Sequence, residues 1–198
     1  GYLNIAIFDQ KIEGFQSNTF IGTGFILANA GSQSSDGYEF DLVMSPTESI
    51  DLAISGLFMD PIYDSFPNSA AGDLSGTMPS NISEDTISST ITWNWNTSNW
   101  DGYFRLSHLY ASEAKLLENP AWQSILESAG NGIKTQDTLN ISAGLEKENL
   151  SIMFWGKNIN DDKYLISAFP AVADPTFTTF FGYPNAYRSY GITLNYMF

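Results

Sequence analysis

Apolar and polar residues alternate with a period of two along most of the chain, the pattern of strands whose two faces meet different surroundings. At the C-terminus Tyr190, Ile192, Leu194, Tyr196 and Phe198 share one side, and Ser189, Gly191, Thr193, Asn195 and Met197 the other. Ile87, Ile91, Trp93 and Trp95 oppose Ser88, Thr90, Thr92, Asn94 and Asn96, and Tyr38, Phe40, Leu42 and Met44 oppose Gly37, Glu39, Asp41 and Val43. The same division runs through Leu52–Phe58 and Leu139–Leu145. Eight strand segments are predicted, near residues 2–16, 24–45, 50–62, 85–96, 100–111, 136–146, 149–159 and 187–198.

Short turns are expected at Pro46–Ser49, Thr97–Asn99 and Lys147–Asn149. Long connections are expected around 63–84, 112–135 and 160–186, with a shorter one near 17–23. Short turns therefore gather at one end of the strands and long loops at the other, the layout of an outer-membrane β-barrel with tight periplasmic turns and long extracellular loops. Ser112–Leu117 and Trp122–Leu126 could each form a helical turn, interrupted near Asn119-Pro120. The alternation is already running at Tyr2, Leu3, Asn4 and Ile5, so the chain is expected to be part of a longer one.

Composition narrows the class. The 198 residues include 29 aromatic side chains, no Cys, one His and eight Lys plus Arg against 22 Asp plus Glu, for a net charge of −14. So few cations argue against nucleic acid, where phosphate binding needs clustered Lys and Arg. The lack of Cys excludes thiol catalysis and Cys-based zinc sites. Charged residues make up 15% of the chain, below the roughly 25% of an average soluble domain. The polar faces carry Ser, Thr, Asn and Gly in place of the usual Lys and Glu, which suits a barrel lumen with the apolar face toward lipid. Trp93, Trp95 and Trp100 beside one turn, and Tyr196 and Phe198 at the terminus, fit an interfacial aromatic girdle.

Several segments then point to a family. Arg188–Phe198 resembles the terminal strand of TonB-dependent outer-membrane receptors, and Phe154–Tyr164, with its Lys157-Asn158 pair followed by Asp and Tyr, resembles their penultimate one. Asn29-Ala30-Gly31 followed by Ser35-Asp36-Gly37-Tyr38-Glu39 is similar to the asparagine-glycine and serine-glycine-glutamate segment of their barrels, and Gly182-Tyr183-Pro184 fits before the last strand. The resemblance implies an all-β fold: an antiparallel transmembrane β-barrel segment of about eight strands. Residues 1–198 would be the C-terminal part of a 22-stranded barrel, with the plug domain outside this chain. It further implies an integral protein of a Gram-negative-type outer membrane that takes up a scarce solute with TonB-coupled energy. An iron–siderophore complex is the leading expectation, although no residue selects it over cobalamin, haem or an oligosaccharide. The implied partners are outer-membrane lipid, a small-molecule ligand, the TonB complex through the plug, and the barrel-assembly machinery. That machinery would read the strand bearing Tyr190, Ile192, Leu194, Tyr196 and Phe198.

Candidate chemistry is sparse. Glu39 and Asp41 share a face with no positioned base or nucleophile beside them, and no Ser–His–Asp set or phosphate loop occurs, so no enzyme activity and no cofactor or metal is expected. Arg105 is expected to pair with Asp101 in the lumen, and His108 to sit outward near the interface. Loop aromatics Phe66, Trp122, Phe177, Phe180, Phe181 and Tyr183 are the candidates for packing on a ligand.

Two alternatives remain open on pattern alone: a complete eight-stranded outer-membrane barrel with a structural or adhesive role, and a soluble β-sandwich binding carbohydrate through exposed aromatics. Eight strands cut from a wider cylinder would leave two unpaired edges, which hydrocarbon does not tolerate. The isolated 198-residue chain is therefore expected not to close into a stable barrel on refolding in detergent. Heat-modifiable gel migration of that chain would refute this.

Overall fold

A computed structural model describes residues 1–20 and 24–198, with the backbone alone for Ser17–Phe20, Ile26 and Ala28–Ala30. Eight strands form one antiparallel sheet: β1 (Tyr2–Phe20), β2 (Phe25–Thr47), β3 (Ile50–Ser65), β4 (Asp85–Asn96), β5 (Asp101–Lys115), β6 (Ile133–Lys147), β7 (Leu150–Lys157) and, after an insertion, β10 (Ser189–Tyr196). Their order is β1-β2-β3-β4-β5-β6-β7-β10, so each strand lies beside its predecessor in the sheet. The eight segments expected from alternation are these eight strands.

The differences lie at the loop end. β1 and β3 run past their expected ends, to Phe20 and Ser65, and the remainder of the connection anticipated near 17–23 falls at residues 21–23, outside the described residues. Ser112–Lys115 is not helical but continues β5, across an irregularity in the ladder between Ala111 and Ala114. The helix α1 (Pro120–Ser128) begins where an interruption was expected. Asn119 caps it, its side-chain oxygen accepting from the Ala121 and Trp122 amides at 3.0 and 3.2 Å. Pro120 needs no amide partner at the first helical position. A small hairpin, β8 (Leu165–Pro170) with β9 (Phe180–Pro184), occupies the last long loop and was too short to register as alternation.

Two glycines of the receptor-like segment have physical reasons. Gly31 has φ 72° where the β1–β2 register shifts opposite Phe15. At Gly37 a Cβ would lie 2.1 Å from the Phe58 carbonyl oxygen of the neighbouring strand, so a side chain is excluded there.

The described buried apolar residues sit at the loop end. Tyr63, Phe66 and Leu74 form one cluster, with Phe15 and Ala71 against it. Leu116, Leu126 and Ala168 form another, with Leu117, Leu165 and Phe180. Gln123, buried on α1, ties its loop together: it accepts from the Leu117 amide at 2.9 Å and donates to the Gly132 carbonyl at 2.6 Å. Asn81, at φ 60°, donates through its amide nitrogens to the Lys115 and Leu116 carbonyls, at 2.8 and 3.0 Å, and so joins the first long loop to the second.

The Lys157-Asn158 motif is a polar knot. Asn158 has φ 49° and is buried. Its side chain accepts from the Asp162 amide at 2.8 Å and donates to the Asp162 and Ala186 carbonyls, each at 2.9 Å. Asn185 donates to the same Asp162 carbonyl at 2.8 Å. The knot therefore fixes how the chain leaves β7 and returns into β10. Asn158→Ala leaves these groups unpaired at a left-handed backbone position and should cost about 2–3 kcal/mol. A drop in the guanidinium unfolding midpoint of the intact receptor purified in detergent is the readout, and an unchanged midpoint would contradict it.

Candidate functional site

The sheet has two chemically different surfaces. On one, polar side chains bond across strands: Asn94 Nδ2 donates to Asp51 at 2.7 Å, Thr90 Oγ1 to Ser107 at 3.2 Å, and Trp155 Nε1 to Thr193 at 3.3 Å. Glu39 and Asp41 lie here, lining a shallow depression of about 410 Å³ with Asn4, Ser55 and Ser88. Arg105 also lies here, but the expected Asp101 pair does not form. Arg105 Nε donates to Thr92 at 3.1 Å and its guanidinium stands 5.6 Å over the Tyr103 ring, while Asp101 accepts from Asn96 at 2.9 Å.

The opposite surface is apolar and uncovered. Ile5, Ile192 and Leu194 are about two-thirds exposed, at 66%, 66% and 65%. Tyr190 pairs with Gly156, Ile192 with Phe154, Leu194 with Ile152 and Tyr196 with Leu150, so the outward residues of the terminal strand continue this surface. Tyr196 and Phe198 meet edge to face at 5.2 Å, and Trp93 and Trp95 lie 5.0 Å apart near the turn end.

This apolar surface stops at a row of carboxylates. Asp36 lies 11 residues from Thr47, Asp60 lies 10 from Ile50, Asp85 lies 11 from Asn96 and Asp137 lies 10 from Lys147, each counted to the short-turn end of its own strand. All four share the outward face, and Asp9 joins them opposite Asp36, which itself faces Asp60. Like charges placed side by side are unfavourable, so the row belongs in water. At ~3.3 Å per residue and a tilt near 40° it stands about 26 Å above the turns, the height of a barrel's apolar band. His108, inside the band, reaches toward the rim, with Nε2 2.6 Å from Asp137 Oδ1.

The six loop aromatics do not form one cluster. Phe66 is fully buried, its ring edge-on to Tyr63 at 5.1 Å. The other five collect where the second and third long loops meet. Trp122 and Phe177 lie 5.6 Å apart, Phe180 packs against the Leu116–Leu126 cluster, and Phe181 and Tyr183 each lie 5.6 Å from Phe169. Sequence reasoning passed over Phe169, whose strand is six residues long. Beside them opens a cleft of about 640 Å³, lined by Trp122, Phe169, Phe181 and Glu118. The carboxylate of Glu118 lies beside Tyr63, whose hydroxyl pKa is pushed up by burial and then by this neighbour.

The family model for the TonB-dependent receptor-like β-barrel matches residues 1–159. The chain belongs to that family. Solved structures of uptake receptors share its fold, three of them as follows. The ferric yersiniabactin uptake receptor FyuA of Yersinia pestis matches with TM-score 0.74 and 17% identity, over 98% of this chain and 27% of FyuA. The ferric-catecholate import receptor Fiu of K12 E. coli matches with TM-score 0.69 and 16% identity, over 99% of this chain and 25% of Fiu. The siderophore receptor PiuA of Acinetobacter baumannii matches with TM-score 0.68 and 14% identity, over 98% and 26%. At such identities the likeness is one of fold, and this receptor-barrel chain spans about a quarter of each of those chains. No curated protein matches it by sequence. Among the described residues no helix is long and apolar enough to cross a membrane.

In the third long loop of this receptor barrel, Asp174 accepts from the Thr176 amide at 2.9 Å and its hydroxyl at 2.5 Å, and from the Thr178 and Thr179 amides at 3.1 and 2.9 Å. These bonds, those from Thr176 foremost, hold its carboxyl well below the usual carboxylate range. A depressed folded pKa gives stabilisation that is present above the unfolded value near 4 and lost only as pH falls through the lower folded value. Amide exchange at Thr176, Thr178 and Thr179 should therefore stay slow through pH 4 and accelerate only in stronger acid. Acceleration already centred on the ordinary carboxylate range would refute this.

Proposed function

We propose that the chain is the C-terminal part of an outer-membrane uptake receptor, with residues 1–198 supplying part of a wider barrel and a plug lying outside this chain. The observation that carries this is the apolar face, uncovered by protein and ending on an aspartate row about 26 Å above the turns, back to back with a face of hydroxyls and amides. A sandwich would bury that apolar face under a second sheet. A complete eight-stranded barrel would join β1 to β10, and no such pairing is present among the described residues.

In this reading the outward residues contact lipid acyl chains, and the strand with Tyr190, Ile192, Leu194, Tyr196 and Phe198 is the mark read by the barrel-assembly machinery. The packed long loops bind solute on the extracellular side. Release inward is driven by the TonB complex acting on the plug, so the chain works as a transporter and not as an enzyme. Ferric yersiniabactin is the solute named for FyuA, a ferric catecholate for Fiu and a siderophore for PiuA, and an iron–siderophore complex is the solute class we assign.

Spin labels placed at Ile192 and Thr193 in the receptor as cells make it test the orientation. Label 192 should be quenched by oxygen dissolved in lipid and label 193 by a water-soluble relaxant. The reverse result, or lipid contact at neither site, would overturn the assignment. Growth on iron-limited medium that depends on both the receptor and TonB is the expected physiological counterpart.

A further inference from the structure

We propose that the loop cleft beside α1 is a ligand site for an organic cation with an apolar or aromatic body. The inference rests on the uptake reading and narrows its solute to one without net negative charge. Leu117, Trp122, Phe169, Val172 and Phe181 supply an apolar lining, and the one charged group in it is Glu118. The cleft holds about 640 Å³, within the size range of small-molecule sites.

Glu118 gives the site its sign. Its Oε1 is shut off from solvent with no donor of its own, and the Tyr63 hydroxyl hydrogen-bonds the carboxylate. A buried oxygen left without a donor is costly, and for a charged group more so. Tyr63, beside this carboxylate, keeps its proton because burial opposes phenolate formation, so one neutral donor is the nearest help available. A ligand ammonium or guanidinium in the cleft would supply the countercharge that a neutral tyrosine cannot, and the Trp122 ring lines the same cleft for a cation–π contact.

The surroundings agree. The three long loops, 63–84, 112–135 and 160–186, carry nine carboxylates and three lysines, and none of those lysines lines the cleft. Within the loops of this chain an anionic ligand would meet repulsion with no cation at the cleft to bind it, whereas a cationic one would be drawn in and retained.

Two xanthene dyes of similar size and opposite charge test the proposal on the receptor purified in detergent. Rhodamine 6G is the cation and fluorescein the anion, each read by fluorescence anisotropy above the micelle background. Rhodamine 6G should bind saturably and fluorescein should not. Glu118→Gln, nearly the same in shape, should weaken rhodamine 6G by about tenfold or more, and Phe181→Ala should weaken it several-fold. Glu113→Gln, an exposed carboxylate outside the cleft, should change it by less than about twofold. Heat-modifiable migration of each variant confirms that it is folded. Equal or tighter fluorescein binding, a Glu118→Gln variant that binds as well as the parent, or equal losses in Glu113→Gln and Glu118→Gln would each overturn the site. So would saturable binding of neither dye. Spin labels that still placed Ile192 in lipid would then leave the uptake reading standing without this site.

Discussion

In the outer-membrane reading, each strand of the main sheet must satisfy its backbone groups from its neighbours, because hydrocarbon offers no donor or acceptor. That constraint orders the rest of the architecture. It favours consecutive antiparallel pairing from β1 to β7 and on to β10, and it lets the outward side chains be largely apolar because they need no protein partner. It also moves the packed core to an unusual place. Phe66, Leu74, Leu116 and Leu126 are buried in the loops, where water is the surrounding solvent and the hydrophobic effect operates. The outward residues Ile5, Ile192 and Leu194 stay open.

The loops behave accordingly as a small folded layer seated on the strands. Their order comes from polar ties as much as from apolar packing. Asn81 links the first loop to the second, Gln123 closes the second on itself, and the Asn158–Asn185 knot fixes the third at its base. Asparagine recurs in this work because its side chain both donates and accepts, and because it tolerates the positive φ of Asn81 and Asn158. The Lys-Asn pair that resembled a receptor motif thus has a mechanical role: it sets the angle at which the chain leaves the barrel wall. A layer so tied can hold a cleft between its second and third loops with a defined lining, which a mobile loop cluster could not.

The lumen side shows how a nearly neutral polar surface is kept ordered. Hydroxyls and amides bond across strands, and Arg105 settles on Thr92 and the Tyr103 ring, leaving Asp101 to Asn96. The expectation of an Arg105–Asp101 pair failed because the two lie four residues apart on one strand, whereas Thr92 stands directly opposite Arg105 in the ladder. Cross-strand neighbours compete better than partners farther along the same strand.

What could be read from the chain alone was whatever depends on local period. The eight strands and their two faces rest on side chains alternating every second residue, and the short turns and the family resemblance rest on short contiguous motifs, all of which are legible without knowledge of contacts. Pairings between distant segments could not be read. The aspartates at 36, 60, 85 and 137 are scattered in sequence and become one rim when register sets them at the same height. Asn119-Pro120 read as an interruption of a helical stretch because the same pair that ends one helix can cap and open the next. Phe66 looked like its fellow loop aromatics until packing buried it, and Glu118 was one carboxylate among many. Tertiary structure decided which aromatic is sealed, which acid faces an apolar cleft, and which asparagine holds three carbonyls and amides at once, since burial and hydrogen-bond partnership are properties of where segments meet and not of any segment alone.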